Sequence, residues 1–244
     1  MFQKFDVLST PDLAAERIAR LREQFDRLGV DAVAVPRADE YLGEYVPECA
    51  ERLAWITGFT GSAGQTLIFR NSAHIFVDGR YTAQAKVQTD SEIFEIEDLV
   101  GNPPHTFIRK GGHENFRLGI DPWTFTSSET RRLEAAMESV GGKLVMLDDN
   151  PVDLVWDDRP AEPLEPVAIQ PLDYAGREVE DKLDEMRKAI VAKKADAAVL
   201  SDPSSVAWTF NIRGSDLPSP PHPLSRAILP ASGRPTLYID ERKL

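Results

Sequence analysis

The feature that most restricts the fold is a repeated order of segments, in which an amphipathic helix is followed at once by a short apolar strand. In residues 11–36, apolar side chains recur with helical spacing and a run of small apolar residues follows them. The same order returns in residues 178–200. Between the two copies, residues 157–166 carry three prolines among ten residues, which predicts a linker. We therefore expect two domains of similar plan.

The first domain shows a long alternation of helices and strands. The pattern predicts helices at 11–28, 81–88 and 127–140, and strands at 31–36, 65–70, 74–78, 92–97, 117–121 and 143–147. The second and third of these strands form a predicted hairpin around residues 71–72. Such an order predicts an α/β fold with a mixed sheet covered by helices.

The two predicted domains differ in length. We assign residues 1–156 to the first domain, 157–171 to the proline-rich linker, and 172–244 to the second domain. The second segment offers one strong helix and three short strands, too few to bury both faces of a sheet. We expect it to be an incomplete domain.

Composition excludes several classes of protein. The net charge of -12 and the pI of about 4.9 oppose binding to nucleic acid or to anionic membranes, which requires clustered Lys and Arg. No apolar run approaches the ~20 residues of a membrane span, and the first residues lack the apolar block of a signal peptide. We expect a cytoplasmic protein. The single cysteine, Cys49, excludes an internal disulfide and a cysteine-based zinc site.

Few residues point to chemistry. The four histidines have no metal-ligand spacing, and we interpret His74 as a packing residue of a strand. The glycine-dense segment 57–64 predicts a tight loop that allows close approach of the backbone. Around a second glycine turn, Arg213 and Asp216 are interpreted as a structural ion pair.

Arg80 is the one candidate for a binding residue. It follows a predicted strand in Asp78-Gly-Arg-Tyr81 and is expected in the first turn of the next helix, where the macrodipole disfavours a cation. The misfit suggests that the guanidinium binds an anion such as a carboxylate. Asp78 is the candidate cap of that helix.

An ordered set of segments resembles the N-terminal part of the three-domain Xaa-Pro aminopeptidases, pita-bread metallopeptidases related to prolidase and creatinase. The set comprises Glu44-Tyr-Val-Pro47, Arg52, Thr57-Gly-Phe-Thr-Gly-Ser-Ala-Gly64, Val77-Asp-Gly-Arg-Tyr81, Gln84-Ala85, Gly119-Ile-Asp-Pro122, Asn150, Val152-Asp153, Trp156, Arg159-Pro160, Tyr174-Ala-Gly176, Asp181-Lys182, Ala207-Trp208 and Asn211-Ile-Arg-Gly-Ser-Asp216. It spans almost the whole chain in the family's order.

The resemblance implies two creatinase-like domains ahead of a catalytic domain that holds two metal ions, usually manganese. The family's ligands (two Asp, one His and two Glu) lie in that catalytic domain, so we expect no catalytic residue, metal ligand or cofactor in this chain. The expected partners are the catalytic domain, a peptide with proline second, and a second subunit in a homodimer. The Arg of the family's Asp-Gly-Arg-Tyr motif contacts the peptide, which assigns substrate binding to Arg80.

Two other functions stay open at this point. The same architecture occurs in proteins without activity that recognise peptides or histones, so the chain is alternatively a stand-alone binding module. A relative of creatinase or prolidase is the other alternative, although those have a single N-terminal domain and this chain repeats its helix-strand opening.

Overall fold

The computed structural model describes residues 9–111 and 114–244, and the chain divides into two compact units. The first unit comprises the described residues up to Glu40 together with Cys49–Pro160, and the second comprises Tyr41–Glu48 and Ala161–Leu244. Among the described residues, no helix is both long and apolar enough to cross a membrane.

The first unit is built on a six-stranded mixed sheet. Its strands are β1 (Ala32–Pro36), β2 (Gly64–Phe69), β3 (Ala73–Val77), β4 (Phe94–Asp98), β5 (Arg117–Ile120) and β6 (Lys143–Met146). Their order is β4-β3-β2-β1-β5-β6, with β2 antiparallel to both β1 and β3 and the other pairs parallel. The predicted mixed sheet and the hairpin are thereby confirmed.

Alternation along the strands gives this sheet a core on each face. Val33 and Val35 of β1 belong to one apolar cluster, whereas Ala32 and Ala34 belong to the other. All four are almost fully buried. Because side chains alternate between faces of a strand, a fully apolar strand indicates a sheet covered on both sides.

Helices of the first unit cover these two clusters. They are α1 (Ala14–Glu23), α2 (Phe25–Leu28), α3 (Arg52–Thr57), α4 (Thr82–Gln88), α5 (Pro104–Arg109) and α6 (Ser127–Ser139). The predicted stripe of α1 and α2 is buried at Ile18, Leu21 and Phe25, and Gly29 ends it with a φ of 68°. α6 begins at the predicted cap, where Thr126 and Glu129 form a capping box. The short helices α3 and α5 were not predicted.

The second unit contains two small sheets. It comprises α7 (Leu172–Ala175), α8 (Val179–Ala192), α9 (Pro203–Phe210), β7 (Ala168–Ile169), β8 (Ala197–Leu200), β9 (Ile212–Arg213), β10 (Arg226–Pro230) and β11 (Thr236–Tyr238). Strands β11, β10 and β8 form one antiparallel sheet, and β7 pairs with β9. Leu183 and Ile190 of α8 pack with Leu229 of β10 in a core, whereas Val199 and Tyr238 are exposed.

Candidate functional site

The glycine-rich loop after α3 is held in one conformation by its neighbours. Gly58 has a φ of 83°, and a Cβ at this position would lie 2.5 Å from the carbonyl oxygen of Gln88. The Ser9 hydroxyl donates to the Gly58 carbonyl over 2.6 Å. At Gly61, a Cβ would lie 2.2 Å from the ring of the buried Phe59. The glycines therefore permit a close approach of backbone and ring that other residues would prevent.

Side chains of α4 fix the outer part of the same loop. The Thr60 backbone N–H donates to Oε1 of Gln88 over 3.0 Å, and the Gln84 amide donates to the same oxygen over 2.9 Å. The hydroxyls of Ser62 and Tyr81 are 2.6 Å apart. The loop and the segment that leads into α4 thus form one hydrogen-bonded rim.

Arg80 lies on this rim, in the turn between β3 and α4. Its Nη2 and Nε donate to the Asp78 carboxylate over 2.7 and 3.1 Å, and its backbone N–H donates to Oδ1 over 2.9 Å. The side chain of Arg80 is 69% exposed. Hydrogen bonds from Arg80 hold the pKa of Asp78 below its ordinary value. The guanidinium is thus oriented by a carboxylate while remaining accessible to solvent.

Two details of the sequence prediction are wrong here. α4 begins at Thr82, so Arg80 precedes the helix and does not lie in its first turn. Asp78 does not cap α4, because its carboxylate accepts from Arg80 instead. The positive charge of Arg80 therefore lies outside the first turn of α4 and is balanced locally by Asp78. The binding of substrate by Arg80 stays a prediction.

The rim presents one exposed guanidinium beside several hydrogen-bonded hydroxyls. A guanidinium paired with one carboxylate can form the same bidentate contact with a second. The neighbouring hydroxyls of Thr60, Ser62 and Tyr81 are hydrogen-bonded to amide or hydroxyl groups. The arrangement is suited to positioning a ligand.

A second group of motif residues forms a structural network in the first unit. Arg52 is 7% exposed and donates from Nε and Nη2 to the Asp153 carboxylate over 2.7 and 2.8 Å. Arg159 approaches the same carboxylate at 2.9 Å. Burial is the largest single effect on the pKa of Arg52 and lowers it, but the hydrogen bonds to Asp153 together with the nearby negative charges raise that pKa overall. This ion pair links the start of α3 to residues 153–159 near the end of the first unit.

The second unit has its own buried polar groups. Nζ of Lys182 donates to the Trp208 carbonyl over 2.7 Å and also contacts the Asn211 side chain. Burial lowers the pKa of Lys182, and the nearby charges of Arg213 and Arg177 lower it further. Asp216 pairs with Lys243 over 2.7 Å, which corrects the predicted pairing with Arg213. These residues stabilise the turns of the unit.

One group of metal-ligating side chains occurs among the described residues. His74 of β3 lies beside Glu95 and Glu97 of β4, and their nitrogen and oxygen atoms lie within 4.8 Å of one another. Sequence spacing did not reveal the group, because only the pairing of β3 with β4 brings the residues together. The group lacks the two Asp of the dinuclear set expected for the family. It does not fit that centre.

Comparison with known proteins gives the same family over both units. A family model described as the creatinase/prolidase N-terminal domain matches residues 17–153, and a second model of the same description matches residues 158–244. A probable Xaa-Pro aminopeptidase P of Pyrenophora teres f. teres (strain 0-1) is 41% identical over 233 residues, which are 93% of this chain and 35% of that protein. One from Coccidioides posadasii (strain C735) is 36% identical over 98% of this chain and 37% of its own length.

A solved structure shares the fold of nearly the whole chain. The crystal structure of an X-prolyl aminopeptidase from Caenorhabditis elegans, described as a cytosolic enzyme with a di-nuclear active site, superposes with a TM-score of 0.87 at 28% identity. The match covers 95% of this chain and 40% of that one. The chain therefore spans between 35% and 40% of the length of these three relatives.

Proposed function

The chain belongs to the creatinase/prolidase N-terminal domain family, and from this membership we propose that it is the non-catalytic N-terminal portion of a metal-dependent Xaa-Pro aminopeptidase. Such an enzyme releases the first residue of a peptide whose second residue is proline. The observation that carries the proposal is the continuous similarity to Xaa-Pro aminopeptidases over 93–98% of the chain. The role of this portion is to shape the substrate site and to support assembly.

Within this function, Arg80 is the residue that contacts the peptide. Its guanidinium is exposed and oriented by Asp78, and the rim beside it is fixed by hydrogen bonds to Gln88. A carbonyl or carboxylate oxygen of the peptide can accept from the guanidinium without rearrangement of the loop. Orientation before binding lowers the entropy lost when substrate and enzyme meet.

The catalytic metals belong to a part of the protein outside these 244 residues. We propose two manganese ions there, where metal ions of this kind activate water and polarise a carbonyl. The His74, Glu95 and Glu97 group is unsuited to that role, since it provides three ligands and no Asp. No catalytic step is assigned to residues of this chain.

We propose that the catalytic domain of the same protein contacts the second unit. Val199 and Tyr238 lie on the three-stranded sheet and are 71% and 54% exposed. The relatives are more than twice as long as this chain, and we propose that residues corresponding to their additional length cover this surface. We also propose a homodimer and a cytoplasmic location, the latter supported by the relative described as cytosolic.

The proposal is tested by replacing Arg80 in the protein encoded by the complete reading frame. Arg80→Ala is expected to lower kcat/KM for an Xaa-Pro peptide at least tenfold, because a charged hydrogen bond to the substrate is lost. The manganese content should stay unchanged. Steady-state kinetics and elemental analysis measure the two quantities.

A matched control separates this effect from a general loss of charge. Arg131→Ala removes an exposed arginine of α6 in the same unit and should leave kcat/KM unchanged. Equal kinetics for wild type and Arg80→Ala would contradict the assigned role. If the full protein binds peptides without cleaving them, the chain is instead part of a binding module.

A further inference from the structure

The edge of the first unit's sheet carries a side-chain group that the proposed peptidase function does not use. His74 and Glu95 are register partners on the parallel strands β3 and β4. Glu97 lies two residues beyond Glu95 and therefore projects from the same face of β4. One imidazole and two carboxylates thus converge beside the last strand of the sheet.

The distances from the His74 imidazole to the two carboxylates are closer to the spacing of two ligands on one cation than to the length of a hydrogen bond. Nδ1 of His74 is 3.6 Å from Oε1 of Glu97 and 3.8 Å from Oε2 of Glu95. Both separations exceed the usual 2.7–3.2 Å of a hydrogen bond from nitrogen to oxygen. Two ligands of a tetrahedral zinc ion, each about 2.0–2.2 Å from the metal, are roughly 3.4 Å apart.

Neighbouring residues orient two of the three side chains. His74 is 5% exposed, and the rings of Phe107 and Phe69 pack against it at 4.5 and 5.9 Å. The Asn102 amide donates to Oε2 of Glu97 over 3.0 Å, while Oε1 of the same carboxylate faces His74. Contacts of this kind around ligating residues determine their orientation and raise metal affinity.

The third side chain, Glu95, is accessible to solvent. The negative charge of the two carboxylates favours binding of a cation. The Glu95 side chain is 75% exposed, so an ion can reach the group from solvent. Within residues 9–111 and 114–244, neither Glu95 nor Glu97 forms an ion pair with a lysine or arginine. Two carboxylates on adjacent positions of one face repel each other, and a divalent ion relieves that repulsion.

We propose that His74, Glu95 and Glu97 form a mononuclear site for a zinc-like divalent cation that joins β3 to the edge strand β4. Imidazole together with carboxylate selects zinc, nickel or cobalt over magnesium, which prefers oxygen ligands alone. Three protein ligands leave one position for water. All three ligands belong to this chain, so the site does not depend on the peptidase function.

Titration of Zn²⁺ into the tag-free 244-residue chain by isothermal calorimetry tests the site. One ion per chain is expected, with a raised Tm in the presence of Zn²⁺ and no saturable binding of Mg²⁺. Glu95→Gln removes an exposed ligand without disturbing the core and should weaken Zn²⁺ binding at least tenfold. His74→Gln should weaken it further.

The matched control is Glu92→Gln, an exposed carboxylate three residues before Glu95, which should bind Zn²⁺ as wild type does. Substitution with Co²⁺ adds a spectroscopic check, because visible absorption reports a low-coordinate ion bound to nitrogen and oxygen. If His74→Gln fails to fold, the Glu95→Gln comparison decides. Absence of saturable Zn²⁺ binding, or equal affinity in wild type and Glu95→Gln, would overturn the proposal.

Discussion

At the scale of the residue, the surroundings of a charge decide what that charge does. Arg80 and Arg52 both bind a carboxylate through two nitrogens, yet one is 69% exposed and the other almost completely buried. The exposed side of the Arg80 guanidinium can donate to a ligand while Asp78 keeps its hydrogen bonds. The Arg52 guanidinium is buried and presents no such side to solvent. We therefore propose ligand recognition for Arg80 and stabilisation of the fold for Arg52.

The Asp78–Arg80 pair predicts a measurable titration. Because Arg80 lowers the pKa of Asp78 in the folded chain, the pair stabilises the fold at pH values above the ordinary aspartate pKa. That contribution is lost as the pH falls through the lowered pKa. Arg80→Gln should raise the Asp78 pKa relative to wild type, as measured by NMR titration of side-chain carboxyl carbons. The same titration in Arg131→Gln should match wild type, and an unshifted Asp78 in the wild type would refute the pairing.

The Arg52–Asp153 pair predicts a loss of stability. Arg52→Met leaves Asp153 with Arg159 alone, in a site where its side chain is 20% exposed. We expect the free energy of unfolding to fall by about 2–3 kcal/mol. Arg20→Met, which breaks the exposed pair with Asp157, should cost about 1 kcal/mol or less. Urea denaturation compares the two variants, and similar losses would contradict the structural role of Arg52.

For single residues, the sequence predicted positions along the chain but not side-chain contacts. The motif around Arg80 predicted the turn that follows β3. It did not predict the hydrogen bonds from the Arg80 guanidinium to the Asp78 carboxylate, because these depend on the backbone geometry of the turn. Likewise, nothing in the spacing of His74, Glu95 and Glu97 indicates proximity. Their convergence follows from the parallel register of β3 and β4, which a single sequence does not specify.

At the scale of the element, length and periodicity determined what could be predicted. α6 and α8 have 13 and 14 residues, clear apolar stripes and, in α6, a capping box, and both were predicted. α3 and α5 have six residues each, too few to repeat a helical stripe. Their stability comes from packing on the sheet, as the buried Leu53, Ile56 and Ile108 show. Tertiary contacts of this kind are not visible in local sequence.

The loop between α3 and β2 predicts a strong effect of one methyl group. Gly58→Ala places a Cβ 2.5 Å from the Gln88 carbonyl at a φ of 83°, so strain and a backbone clash add together. We expect a loss of about 2 kcal/mol or more in the free energy of unfolding. Gly79→Ala is the control, because no atom lies within 4 Å of its Cβ position. Thermal denaturation checks both, and an unchanged Gly58→Ala would show that the loop is not held as described.

At the scale of the whole molecule, the two units differ in how completely their sheets are covered. The first unit has an apolar cluster on each face of six strands, whereas the core cluster of the second unit joins α8 to β10. Both match family models described as creatinase/prolidase N-terminal domains. In the sequence, the helix-strand order repeated in residues 11–36 and 178–200 indicated this similarity between the two units.

We propose that this chain shapes the substrate site of an Xaa-Pro aminopeptidase without performing its chemistry. The most direct measurement compares the product of the complete reading frame with the 244-residue chain in an assay for release of the first residue from an Xaa-Pro peptide, with and without Mn²⁺. We predict Mn²⁺-dependent release by the complete product and none by the 244-residue chain under either condition. Cleavage by the 244-residue chain alone, or no cleavage by the complete product, would contradict the account.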